Sequence, residues 1–203
     1  MKKISLPVLV SLFFYLVFSL ACAQTTSKEE ATKEETTKED TTKVPAPPKV
    51  KYVGSLVCKP CHNLKSKGKI YDKWAASKHA VAYEMLANEE SQKIAKEMKI
   101  KDPQKSDKCL KCHATGYDAT DKEKGPKFNL TEGISCEGCH GAGEKYKSMK
   151  VMKNPELSKE NGLIMPGEKE CKGCHNEESP TYKKFKFAEA WKVIDHSVPK
   201  KTE

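Results

Sequence analysis

The sequence predicts a mostly helical, loop-rich domain whose interior is not built from side chains alone. Three observations carry this. Only 37% of the 203 residues are hydrophobic while 32% are charged, and the mean hydropathy is −0.71. Runs of β-branched residues that would mark strands are almost absent. The third observation is a repeated motif, two cysteines three apart with a histidine next.

The motif occurs four times, as Cys58-Lys59-Pro60-Cys61-His62, Cys109-Leu110-Lys111-Cys112-His113, Cys136-Glu137-Gly138-Cys139-His140 and Cys171-Lys172-Gly173-Cys174-His175. On one helical turn the two thiols reach the two vinyl groups of a porphyrin and form thioethers, and the histidine gives its imidazole to the iron. Eight of the nine cysteines lie in these motifs, so no pair is left for a structural disulfide. Four covalent haem c groups then supply the apolar mass that the composition lacks. Zinc ribbons or redox disulfides also use C-x-x-C pairs, but neither needs a histidine after each second cysteine. With six His in the chain, that placement four times by chance is on the order of one in a million.

The chain opens on Met1-Lys2-Lys3 and an apolar run from Ile4 to about Leu20, the pattern of a secretory signal over residues 1–23. Two processing sites compete at its end. Ala21-Cys22-Ala23 fits a cleavage site that leaves Gln24 first, whereas Ser19-Leu20-Ala21-Cys22 is a loose lipobox that makes Cys22 a lipidated terminus and a membrane anchor. Either implies export, to a periplasm or the outer face of a membrane, and c-type attachment takes place outside the cytoplasm. Residues 24–50 repeat Thr-Lys-Glu-Glu units and end in Pro45-Ala46-Pro47-Pro48, a composition that predicts a disordered tether with a stiffer end.

The cytochrome domain is expected over residues 51–203. Ile70, Trp74, Val81 and Met85 share one stripe, predicting a helix from Ile70 to about Ala87 with His79 among small alanines. Further helices are expected over 91–99, over 146–153 (stopped at Asn154-Pro155) and over about 184–197. Phe128 to Ile134 reads as an extended lead-in to the third motif, and 158–168 as a loop.

The formal charge is +9 with lysine as the only basic side chain besides histidine. From Lys51 onward 30 Lys face 22 acidic residues, an excess that the propionates of four haems would roughly cancel. Without arginine there is no bidentate base reader, so nucleic acid is not the expected partner. The lysines suit acidic patches on redox partner proteins.

His62, His113, His140 and His175 are the expected proximal iron ligands. Only His79 and His196 remain for the far side, enough for two bis-histidine haems. The other two irons take another ligand, Met149, Met152, Met165 or more weakly Tyr146, or stay open.

Larger pieces carry a resemblance. They are Cys58–His62 followed by Tyr71-Asp72-Lys73-Trp74-Ala75-Ala76-Ser77-Lys78-His79-Ala80, Cys109–His113 with Gly116, Gly133-Ile134-Ser135-Cys136 through Gly143, and Lys184-Phe185-Lys186-Phe187 through His196. From about Val53 to Val198 the chain resembles the tetrahaem cytochrome c-554 family of exported multihaem cytochromes. The resemblance implies a mostly α-helical domain, closely stacked haem pairs and an electron-carrier role. It also implies distal ligation by His79, to a haem remote in sequence, and by His196, with a five-coordinate haem on His113. One departure stands out: the family supplies a third distal histidine soon after the Gly-x-Gly of the third motif, and here Glu144 to Met152 holds none. The expectation is therefore electron relay between redox partners, with no catalytic residue assigned. The alternative is reduction of nitric oxide, nitrite or hydroxylamine at an open haem.

Overall fold

Short helices joined by turns and irregular loops make up the described part of the chain, with no strand among the described residues. The computed structural model describes residues 50–197. The expected leader and tether over 1–49, Cys22 included, and the residues from 198 onward lie outside it.

Ten helices follow in order: α1 (Ser55–His62), α2 (Ile70–Ala75), α3 (Ala82–Met85), α4 (Glu89–Glu97), α5 (Asp107–His113), α6 (Cys136–His140), α7 (Met149–Met152), α8 (Pro155–Glu160), α9 (Glu168–Lys172) and α10 (Phe187–Ile194). Most are one or two turns long, too short to be stable alone in water. Local caps and tertiary contacts define them. Asn88 caps α4 by accepting the Ser91 N–H at 2.8 Å, and Glu89 and Glu90 complement the helix dipole in its first turn. The far end of α4 closes in a Schellman turn, with Ile100 N–H on the Ala95 carbonyl and Lys99 N–H on the Lys96 carbonyl. The left-handed position of that turn is held by Lys99 (φ 57°), where glycine would avoid a penalty of roughly 1 kcal/mol.

Three expectations are corrected. The helix expected over 70–87 is broken into α2 and α3, with His79 in the turn between them. The break has a cause: the His79 carbonyl accepts the Ile134 N–H at 2.8 Å and the Ala82 N–H at 3.2 Å, so a tertiary bond to the third motif's lead-in replaces continued helix. That lead-in is not extended throughout, since Leu130–Glu132 form a 3-10 turn capped by Asn129. Finally, Asn154-Pro155 ends α7 but also begins α8. Asn154 accepts the N–H groups of Glu156 and Leu157, both at 3.1 Å, and Pro155 takes the first helical position, where no N–H is needed.

The side-chain core is small. Leu86, Leu110 and Ala114 are its buried centre, covered by Tyr83, Cys109, Tyr117 and Leu130, which joins α3, α5 and the 3-10 turn. Val53, Ala95 and Tyr146 are the only other buried hydrophobics among the described residues. Meanwhile α10, with Phe187 tilted against Trp191, has a strongly amphipathic sequence but no buried residue.

Candidate haem-binding site

The four motifs are held by different local devices. In α1, α5 and α6 both cysteines and the histidine lie within helix. In the fourth motif α9 stops at Lys172, and Cys174 and His175 continue in a turn, with the His175 N–H on the Cys171 carbonyl at 2.9 Å.

The start of α1 has no side-chain cap of its own. Its amides are satisfied from the third motif instead. Glu137, only 3% exposed, accepts Val53 N–H with both oxygens (2.8 and 3.0 Å), Gly54 N–H at 2.8 Å and Gly143 N–H at 2.7 Å. Glu132 accepts the Ser55 N–H at 2.9 Å. Through these amide bonds the buried Glu137 side chain stitches the first motif to the third.

Residues 133–135 are fixed from two sides. Thr115 sends its N–H to the Gly133 carbonyl and receives the Ser135 N–H on Oγ1, both at 2.9 Å. The indole N–H of Trp74 donates to the Ile134 carbonyl at 2.9 Å. Gly133 (φ 67°) has no room for a side chain, because a Cβ would lie 2.4 Å from the His79 carbonyl. The turn carrying His79 is thus moulded onto the third motif.

The attachment thiols meet in a row. Cys58 and Cys136 lie close enough to shift each other's pKa, as do Cys112 and Cys174, and Cys171 raises that of Cys139. The row therefore runs through the motifs in the order first, third, fourth, second. The Cys174 thiol also donates to the Lys111 carbonyl at 3.8 Å. The two members of each pair shift in opposite directions: Cys174 lowers the Cys112 thiol to about 7 and is itself raised, and Cys58 lowers Cys136 and is itself raised.

The histidines also pair. The rings of His79 and His175 have centroids 6.1 Å apart, and those of His140 and His196 5.9 Å apart. Two imidazoles on opposite sides of one metal, each bonded at about 2 Å, place their ring centres about 6 Å apart. Orientation is set by the other ring nitrogen. Nδ1 of His113 donates to the Ala82 carbonyl at 2.8 Å, that of His140 to Ile164 at 2.9 Å and that of His196 to Ile194 at 2.9 Å. A carbonyl only accepts, so these bonds put the proton on Nδ1 and leave the Nε2 lone pair for a metal. Burial lowers the pKa of His79, His140 and His62, favouring the neutral ring that ligation requires. Phe185 stacks on His175 at 4.8 Å.

These features fit haem. A porphyrin brings its own four equatorial nitrogens, so the protein needs only thiols and axial ligands. A bare metal ion needs more, and among the described residues no three of His, Cys, Asp and Glu converge on one point. Exposed apolar side chains flank the first motif (Leu56, Leu64) and His79 (Val81, Met85), faces that a porphyrin would cover.

The fallback ligands fare differently. Met149 and Met165 are 63% and 67% exposed, and Met152 is half-buried. Tyr146 is buried, and its hydroxyl donates to the Gly141 carbonyl at 2.5 Å. Burial, with the nearby Glu137, Cys58 and Cys136, keeps that phenol protonated. Within Glu144 to Met152, the stretch that holds no third histidine, Tyr146 is thus a buried, hydrogen-bonded residue near the first and third motifs.

Residues 57–141, spanning the first three motifs, match the family model described as cytochrome c554 and c-prime. This segment is similar to the cytochrome c554 family. That similarity supports a haem c electron-transfer protein. Among solved structures, the reduced state of cytochrome c554 from Nitrosomonas europaea is similar at 23% identity, over 71% of this chain and 78% of that one, with a TM-score of 0.45. No curated protein gives a match. The fourth motif and His196 lie beyond the segment matched by the family model.

Sequence reasoning missed Glu137, Glu132 and Thr115. Glu137 carried a legible signal: it is the only acid among the eight residues between paired cysteines, where a lysine occurs in each of the other motifs.

Proposed function

We propose that the chain carries four haem c groups and relays electrons between exported redox partners. Cys58 and Cys61, Cys109 and Cys112, Cys136 and Cys139, and Cys171 and Cys174 are the thioether donors, with His62, His113, His140 and His175 as proximal ligands. His79 is the distal ligand opposite His175, and His196 the one opposite His140. Haem c supplies a reversible one-electron iron couple. The protein fixes where each couple sits, sets its axial ligands and shields it from water. The observation that carries this reading is the continuous row of attachment thiols, from Cys58 and Cys136 through Cys139 and Cys171 to Cys174 and Cys112. A row without a gap suits a conductor, where isolated sites would not. The leader directs the chain outside the cytoplasm, and mass spectrometry of the mature N-terminus distinguishes cleavage before Gln24 from cleavage before Cys22, which would make Cys22 a lipid anchor.

Intact-mass measurement should show four added haems, and spectroelectrochemistry should show all of them reduced and reoxidised reversibly. A colourless protein, or haems that no electrode or partner reduces, would overturn the proposal.

One observation favours a second reading. With His79 and His196 engaged across from His175 and His140, the irons on His62 and His113 have no distal histidine. An open iron binds nitric oxide, nitrite or hydroxylamine. Carbon monoxide binding to the reduced protein and a high-spin signal are expected of it, and the absence of both eliminates this reading.

A further inference from the structure

An open cleft of about 510 Å3 lies between the end of α4 and the start of α5, lined by Lys99, Ile100, Lys101, Asp102, Lys105, Ser106 and Lys108. Its charge is one-sided. Asp102 is the only acid in the lining, and it is already engaged by Lys105 at 2.9 Å. Among the described residues Lys99, Lys101 and Lys108 have no ion-pair partner, and all three are exposed.

The cleft adjoins a haem motif. The Ser106 carbonyl, on its wall, accepts the N–H groups of Cys109 and Leu110, both at 2.9 Å. Lys108 directly precedes Cys109, so whatever sits in the cleft is next to the attachment point of the second motif. That motif also ends the row of thiols, through Cys112 and Cys174.

Lys99 adds an independent observation. It occupies the left-handed position of the Schellman turn that ends α4, with φ 57°. Stability alone favours glycine there. A residue kept at a conformational cost in an exposed turn points to a role outside the fold, and here the strained side chain is a cation on the rim of a cationic cleft.

We infer that this cleft is the docking surface for an acidic redox partner protein, which exchanges electrons with the chain at the second motif. The inference rests on the electron-carrier reading above. Charge complementarity selects the partner: three unpaired ammonium groups around a concavity take a protruding, carboxylate-bearing surface. Ammonium groups are strongly hydrated and make no rigid forked bonds, which suits fast encounter and fast release.

The test uses the haem-loaded protein and a carboxylate-terminated alkanethiol monolayer on gold as the acidic probe. Bound mass is read by surface plasmon resonance across a range of salt, and electron exchange by voltammetry on the same surface. The triple variant Lys99→Gly, Lys101→Gln, Lys108→Gln should bind about tenfold more weakly at low salt. Lys145→Gln, Lys150→Gln, Lys153→Gln, with the same loss of charge elsewhere, should stay within about twofold of the parent. Lys99→Gly alone should match or exceed the parent's melting temperature while weakening binding. Equal losses in both triple variants, or no loss in the cleft variant, would overturn the docking site. Selective loss of bound mass, with no voltammetric wave even from the parent, would keep the docking site and refute the electron-carrier reading.

Discussion

Glu137, in the third motif, holds the Val53 amide that precedes the first helix with both carboxylate oxygens, at 2.8 and 3.0 Å. One buried side chain thereby fixes the spacing between two haem-attachment helices that are far apart in sequence. Glu137→Ala orphans the amides of Val53, Gly54 and Gly143, at about 1–3 kcal/mol for each donor left without a partner. Glu137→Gln keeps one acceptor oxygen but turns an NH2 toward an amide that also donates. Both variants should lower the guanidinium midpoint of the haem-loaded protein, alanine more than glutamine. A midpoint unchanged in Glu137→Ala would show that water or another group satisfies these amides.

Much of this site was legible in the sequence, for definite reasons. Cysteine spacing is local chemistry, so the candidate attachment motifs and their histidines are proposed from neighbouring residues alone. The scarcity of apolar residues foretold the small core around Leu86, Leu110 and Ala114. The pairing of His79 with the fourth motif was not legible, because it depends on a turn created by the Ile134–His79 bond across more than fifty residues. Periodicity favoured a continuous helix over 70–87, and a single tertiary hydrogen bond with the Gly133 contact overrode it. Asn154-Pro155 misled in another way, since the residues that stop one helix are also good at starting the next.

The contact between Gly133 and the His79 turn leads to a second prediction. A Cβ at residue 133 meets the His79 carbonyl at 2.4 Å and the Ala82 N at 2.9 Å, and φ is 67°. Gly133→Ala is therefore strained by its own backbone and also pushes the turn outward. The expected result is loss of His79 as an axial ligand while all four haems remain attached. Electron paramagnetic resonance of the oxidised variant should show one low-spin bis-histidine signal replaced by a high-spin one. An unchanged spectrum would mean that the turn yields without moving the ring.

The two histidine pairs make a sharper claim about ligation. His79→Met should give one haem a histidine–methionine set and raise its potential, and His196→Met should do the same for another. On the proposed pairing, His79→Met perturbs the haem on His175 and His196→Met the haem on His140. Nuclear magnetic resonance of the paramagnetic haem methyls distinguishes the two sites. If both variants disturbed the same haem, the assignment from the ring separations of 6.1 and 5.9 Å would be wrong.

The last prediction concerns the fold without its prosthetic groups. Six buried hydrophobics among the described residues, three of them in the central cluster, cannot offset the conformational entropy of ordering 148 residues (50–197), which costs about 1–2 kcal/mol per residue in the backbone alone. The amphipathic α10 has no buried residue to anchor it. The chain made without haem attachment should therefore lack a cooperative thermal transition, and circular dichroism should show much less helix than the haem-loaded form. Replacing both cysteines of a single motif by serine separates the contributions. Loss at the third motif should be the most damaging, because Cys136 and Cys139 flank Glu137, whose carboxylate holds the amides at the start of α1. A haem-free chain that melted cooperatively, with full helix content, would show that side chains alone suffice.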